Sequence, residues 1–333
     1  MSLGKPVRRI AVVGTGVVGA SWTSLFLAQG FDVMATDPAP SASAEADLRR
    51  YVDTVWPALA SLGISPKASP EHLCFENELR QALADADLVQ ESVQGNGLEK
   101  SALKIDLFAE MDAATPPDSI IASSSAGLTM SVMQSACVHP ERCVIGHALS
   151  PPHIMPLVEV VGGAKTAPEA VQQAMSFYAS IGKKPIHVRK EITGHVANRL
   201  QAALYRELAH LIDQDVIDVA AADAVVSWGP GLLWGVMGPN LLLHLAAGPG
   251  GIHEFMEHRP GPITSCWNDL GTPDLTPKIK QALIDGALSE AGNRSLEQLA
   301  RERDEALLAL IRLRRRLAKP RGPARSPRPR RRT

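Results

Sequence analysis

RIAVVGTGVVGASWTSLFLAQGFDVMATD, Arg9 to Asp37, decides how the rest of the chain is read. Ile10 to Val13 is apolar and β-branched, which predicts a buried strand. Gly14-Thr15-Gly16-Val17-Val18-Gly19 follows, then an apolar helix to about Gln29 and a second strand ending at Asp37. Each glycine has a physical task in holding a dinucleotide. Gly14 permits the tight turn, Gly16 lets the pyrophosphate approach the backbone, and Gly19 lets the helix pack on the strand. Val17 and Val18 open the helix, whose first N–H groups and partial positive charge favour the phosphates. Asp37 lies 18 residues after Gly19, where a carboxylate can accept from the adenosine ribose. Pro38, Ala39 and Pro40 come next, with no Arg or Lys to pair a 2′-phosphate, so the expected cofactor is NAD.

The remaining composition sets the class. With 45% hydrophobic and 21% charged residues over 333, the chain is ordinary globular material for about two domains. A formal net charge of −1 exerts no global pull on nucleic acid or membrane, and neither is expected as a partner. Cys74, Cys137, Cys143 and Cys266 show no metal-ligand spacing, which fits a reduced, cytoplasmic protein without a metal. No secretory signal is evident, and no apolar run of about 18 residues or more suggests a membrane span. Met1 to Pro6 reads as a disordered leader.

Outward from the opening stretch, helices are predicted over Ala42–Leu62, Leu79–Ala86, Leu98–Met111 and Ala167–Ile181. Strands are predicted over Ala86–Glu91, Ser119–Ala122, Val144–Ile145 running to His147, Pro156–Val161 and Lys184–Val188. This alternation argues for a parallel, doubly wound α/β sheet of Rossmann type, with ligands outside the carboxyl ends of its strands. From Thr193 only helical stretches follow: Val196–Gln214, Asp218–Val226, Pro239–Ala247, Thr276–Ala291 and Ser295–Leu317. The reading is a cofactor-binding domain at 7–190, an all-helical domain at 191–317, and a disordered basic tail at 318–333, whose Pro, Gly, Ser and Arg cannot bury a core.

His147 and Glu159 are the candidate chemistry. A neutral imidazole can take the proton of an alcohol as hydride leaves for nicotinamide, and a carboxylate on its other nitrogen fixes the tautomer. Ser124, at a neighbouring strand end, and Asn198, at the start of the helical domain, can hydrogen-bond the reacting oxygen.

VIGHALSPPHIMPLVEVVGG (144–163) resembles the signature of the 3-hydroxyacyl-CoA dehydrogenase family, roughly GHxFNPxxxMxLVEVV. GTGVVG, QES (90–92), SSSAGL (123–128) and KEITGHVANRL (190–200) stand in the family's order, so the likeness covers about Arg8 to Leu317. The resemblance implies NAD-dependent oxidation of a secondary 3-hydroxyl group, with His147 as general base, Glu159 as its orienting partner, and Ser124 and Asn198 on the substrate oxygen. It implies a cofactor site of Gly14, Gly16, Val17, Val18, Gly19, Asp37, Glu91 and Lys104, and a homodimer formed through the helical domain.

Within the family, SWGPGLLWGVMGP (227–239), HLAAGPGGIHEFMEH (244–258) and NRSLEQLARERDEALLAL (293–310) are similar to the branch that oxidises L-carnitine. The L-gulonate branch is next, through its SSS run. A trimethylammonium substrate would be held by aromatic faces, and Trp228, Trp234, Phe255 and Trp267 are candidates that also suit an ordinary core. A CoA thioester would instead want basic residues, for which Lys100 and Lys104 are available. A chain that holds NAD without turnover is the remaining alternative. Departures from the family pattern fall on the substrate side: Leu149-Ser150-Pro151 for Phe-Asn-Pro, Val93-Gln94 for Pro-Glu, Asn240 for Phe, and His195 for Phe. Ser150 is the shorter residue there and is expected to meet the substrate.

Overall fold

The computed structural model describes residues 6–38, 42–93, 99–258 and 260–317. Met1–Lys5 of the expected leader, Ala39 and Pro40 after Asp37, residues 94–98 and the tail 318–333 lie outside these, as does the side chain of Lys100. The chain forms two compact units, Met1–Gln201 and Ala202–Thr333.

The first unit runs β1 (Arg9–Val13), α1 (Val17–Ala28), β2 (Asp32–Thr36), α2 (Ala44–Leu62), β3 (Leu73–Phe75), α3 (Leu79–Leu83), β4 (Leu88–Glu91), α4 (Glu99–Ala114), β5 (Ile120–Ser123), α5 (Met130–Met133), β6 (Cys143–Ala148), β7 (Leu157–Gly162), α6 (Pro168–Ser180) and β8 (Lys184–His187). The eight strands make one sheet in the order β3-β2-β1-β4-β5-β6-β7-β8. Helices cover both faces, which is why β1 reads as a continuous apolar run. Ile10 and Val12 pack on one side with Trp22, Phe26, Leu48, Phe177 and Tyr178. Ala11 and Val13 pack on the other with Leu83, Phe108, Met111 and Met133.

The expectation of a parallel sheet needs one correction. β6 and β7 pair antiparallel, while the other neighbours pair parallel. A parallel return needs a crossover of about a dozen residues or more, and the chain from Ala148 to Leu157 is too short for one. The consequence for the site is direct: the antiparallel register sets His147 opposite Glu159. Short β3, on the sheet edge, and α5 are elements the sequence pattern does not reveal.

The helical series begins with α7 (Ala197–Asp213), within which the two units divide. The second unit continues through α8 (Val219–Trp228), α9 (Pro230–Val236), α10 (Pro239–Ala246), α11 (Gly251–His258), α12 (Pro260–Asp269), α13 (Pro277–Ala291) and α14 (Leu296–Leu317). The sequence reading finds no separate helices at α9, α11 and α12. It also passes over Val219–Val236, which by length and hydropathy alone equals a membrane span. That stretch is two helices, because Gly229 leaves helical geometry and Pro230 restarts it. Among the described residues of the unit the buried apolar ones are few (Ala209, Ala222, Ala247, Phe255, Ile279, Leu308), and Leu241, Leu245, Trp267 and Leu288 are exposed.

Candidate active site

The turn after β1 is built for close backbone approach. Gly14 sits at φ +94°, and a Cβ on it would fall 2.7 Å from the Val93 nitrogen. A Cβ on Gly19 would fall 1.8 Å from the Gly14 carbonyl oxygen, so only glycine lets α1 press on the turn. Gly16 is the opposite case: a Cβ there meets nothing within 4 Å. It is the N-cap of α1 and offers no side-chain acceptor, which leaves the first N–H groups for an anion in front of them. Val17 is exposed and Val18 half-buried beside this opening. Asp37 Oδ2 accepts from Thr15 N at 2.8 Å and Thr15 Oγ1 at 3.0 Å, so the acid at the end of β2 also braces the glycine turn. An open helix N-terminus, a glycine-only turn and a neighbouring carboxylate are what a dinucleotide's pyrophosphate and ribose require.

Glu91 and Lys104 meet next to that turn, through Val93 N. The ammonium of Lys104 donates to Glu91 Oε1, which also accepts from Val93 N at 2.6 Å. Glu91 Oε2 accepts from the Ser123 hydroxyl at 2.6 Å. Glu91 is fully buried and Lys104 is buried, so both charges are satisfied inside, where they tie the end of β4 to β5 and α4.

Ser124 belongs to a second network. Its Oγ accepts from Gln90 Nε2 at 2.9 Å and from Trp22 Nε1 at 3.2 Å, and lies 2.9 Å from Ser92 Oγ. Gln90 Oε1 accepts in turn from the Tyr178 hydroxyl at 2.6 Å. With both lone pairs of Ser124 occupied, its own hydrogen is the one free element. Ser124 is therefore set up to donate, either to Ser92 or to a ligand oxygen. Burial pushes the Tyr178 phenol above its usual range, which keeps it a donor.

His147 and Glu159 form the third cluster. His147 Nδ1 lies 2.9 Å from Glu159 Oε2, with both residues buried. Glu159 Oε1 accepts from Val196 N at 2.8 Å and Ala197 N at 3.0 Å. An ionised carboxylate only accepts, so Nδ1 carries the imidazole hydrogen and Nε2 presents a lone pair. The same carboxylate caps the start of α7, the helix that carries half-buried Asn198. Burial pulls the His147 pKa below its ordinary value, and His195 adds to that, while Glu159 opposes it.

His195 is the residue that sequence reasoning noted without assigning. Its ring centroid is 5.0 Å from that of His147, and its Nε2 lies 2.9 Å from the Ser125 carbonyl oxygen. The available signal was its departure from the family's Phe. Trp22, Gln90 and Tyr178 were also missed, because each reads as core material in sequence.

The 149–156 loop lies beside these clusters. Ser150 is exposed and precedes a cis bond to Pro151. His153 is held by Ser21 of α1, and the Lys183 ammonium donates to the carbonyls of Pro152 and Met155. In the second unit, Trp228 is 81% and Trp234 44% exposed, whereas Phe255 at 8% is a core residue.

Comparison with known proteins identifies the family. The 3-hydroxyacyl-CoA dehydrogenase NAD-binding domain matches residues 9–192, and the C-terminal domain of the same enzymes matches 194–271. An L-carnitine dehydrogenase of Streptomyces griseus is 45% identical over 92% of this chain and 90% of its own. One of Bacillus cereus is 41% identical over 92% of both chains. Among solved structures, 5-formyl-3-hydroxy-2-methylpyridine 4-carboxylic acid 5-dehydrogenase, an NAD+-dependent dismutase, superposes with a TM-score of 0.78. It is 31% identical and covers 93% of this chain and 99% of its own.

Proposed function

The chain belongs to the 3-hydroxyacyl-CoA dehydrogenase family, and we propose that the alcohol it oxidises is L-carnitine, with His147 as the general base. The coarser activity is NAD-dependent oxidation of a 3-hydroxyl group, which makes the protein an oxidoreductase. L-Carnitine is supported by relatives of that name at 41–45% identity over about 92% of the chain.

The observation that carries the mechanism is the 2.9 Å contact from His147 Nδ1 to Glu159 Oε2. It leaves Nε2 unprotonated, and burial keeps it so near neutral pH. Nε2 takes the hydroxyl proton, and Glu159 stabilises the imidazolium that results. Ser124 donates its one uncommitted hydrogen to the oxygen as the carbonyl forms, and the Asn198 amide does so from the start of α7. Gly14, Gly16, Val17, Val18 and Gly19 hold the pyrophosphate, and Asp37 takes the ribose. Bound NAD+ supplies the hydride acceptor. Glu91, at the end of β4, and Lys104, paired with it, complete the cofactor site beside the glycine turn. The apolar surface of the helical unit is covered by a second copy of the chain, which sedimentation will reveal as a dimer.

The test is NADH formation with L-carnitine, 3-hydroxybutyryl-CoA and L-gulonate side by side, with L-carnitine giving the highest kcat/KM. The thioester alternative is weakened because Lys104 is buried against Glu91 and serves no CoA phosphate. Turnover of the thioester alone would replace the L-carnitine assignment and leave the His147 chemistry standing.

A further inference from the structure

We propose that His195 holds the nicotinamide carboxamide, its Nδ1 accepting a hydrogen bond from the amide N–H. The proposal rests on the reading of His147 as the base that faces the reacting carbon.

His195 is brought inward at a cost to the backbone. Gly194 at φ +77° and His195 at φ +50° are two successive left-handed residues, and Gly194 N donates to the Ala126 carbonyl at 2.9 Å. A non-glycine residue in that region is retained where the surrounding structure over-determines it, and such positions cluster at functional sites. The result is an imidazole 97% buried, its ring tilted 52° to that of His147 at 5.0 Å.

Its hydrogen-bonding state follows from its partner. The Ser125 carbonyl can only accept, so Nε2, 2.9 Å away, carries the hydrogen. In the neutral ring Nδ1 is then a bare acceptor. It is buried and has no hydrogen-bond partner among the described residues. A buried acceptor without a donor is unfavourable, and in a folded protein it calls for a ligand or an ordered water.

Placement selects the donor. Ser125 follows β5 and His147 lies in β6, two strands or more from β1 on the side away from β2 and Asp37. With Asp37 at the adenosine end, this is the nicotinamide half of the sheet's carboxyl edge. The ligands themselves bring two donors to the reacting carbon there: the substrate hydroxyl and the carboxamide. The hydroxyl is drawn by His147 Nε2, which leaves the carboxamide for His195. A substrate carboxylate would need His195 protonated. A second cation beside His147 would oppose the imidazolium that forms when the alcohol loses its proton.

Calorimetric titration of the full chain, without substrate, compares NAD+ with its 3-acetylpyridine analogue, in which a methyl ketone replaces the carboxamide. The wild type should bind NAD+ about five- to tenfold more tightly, the range of one hydrogen bond. H195F should reduce that preference below about twofold, while H195N, which suits left-handed backbone and keeps a carbonyl acceptor, should retain part of it. Equal binding of the two dinucleotides by the wild type overturns the proposal without any variant. So does an undiminished preference in H195F, or an equal loss of affinity for both, which marks a structural residue. An H195F effect confined to substrate KM moves the contact to the substrate and overturns it too. Because the ratio is read without substrate, it stands or falls apart from the assignment of L-carnitine.

Discussion

Glu159 joins His147 to the start of α7: one carboxylate oxygen lies 2.9 Å from His147 Nδ1, and the other accepts from Val196 N and Ala197 N. The base and the helix bearing Asn198 are thus fixed by a single side chain. Glu159→Gln preserves the shape and reverses the chemistry. Its amide can offer a hydrogen to Nδ1, which would place the imidazole hydrogen on Nε2 and remove the base. The expected outcome is a fall in kcat of about 10²–10⁴, with NAD+ affinity measured by titration near normal. A variant that keeps its kcat would show that the tautomer is set by something else.

His147→Ala should lower turnover by about 10²–10⁴ and leave NAD+ binding unaltered. A large loss of NAD+ affinity would instead mark the residue as structural. The wild-type pH profile provides a second check. Burial lowers the His147 pKa, and the neutral ring is the active form. The acid limb of kcat/KM should therefore have its midpoint below 6.5, the ordinary value. The same sign applies to stability. An unfolded chain takes up a proton at His147 as pH falls through about 6.5, whereas the folded chain resists it, so the native state loses this contribution on the acid side.

Much of this arrangement was legible along the chain, and the exceptions share a cause. The β1–α1–β2 unit could be read because its glycines, apolar run and Asp37 lie within one local stretch. His147 and Glu159 could be paired by spacing, although their true relation depends on an antiparallel return that a list of strands does not specify. Glu91 is placed at the cofactor edge by its position at the carboxyl end of β4, but its ion pair with Lys104, thirteen residues on in α4, has no signal along the chain. Ser124 was found without its Trp22–Gln90–Tyr178 support, and His195 without its contact to His147. Those partners lie on separate elements, where neither period nor propensity carries information.

Asp37→Ala should weaken NAD+ binding and relax discrimination against NADP+. The carboxylate braces Thr15 N and Thr15 Oγ1, so its removal loosens the turn as well as the ribose contact. Binding of both dinucleotides, measured by fluorescence titration, separates the two effects: a loosened turn lowers both affinities, and a lost ribose contact lowers that of NAD+ alone. Unchanged affinity for both would remove Asp37 from the site.

The last expectation concerns the support beneath the His147 strand. Asp112 and Arg142 form a buried ion pair with Arg142 Nη2 2.8 Å from Asp112 Oδ1, and Asp112 Oδ2 also accepts from Val138 N and His139 N. Arg142 immediately precedes β6, so this knot fixes where the strand of His147 begins. Burial by itself would raise the Asp112 pKa, but the His139 N–H, Arg142 and the Val138 N–H outweigh it and hold the carboxyl below 3.8. A depressed carboxyl stabilises the fold fully above its unfolded value of about 3.9. That contribution is lost as pH falls below this value toward the folded one. Asp112→Asn leaves Arg142 buried without its counter-charge and should cost about 3–5 kcal/mol at neutral pH. Urea unfolding of both proteins from neutral pH to below 4 should show the gap narrowing on the acid side. Curves that remain parallel would mean that the ionised Asp112 contributes nothing to holding β6 in place.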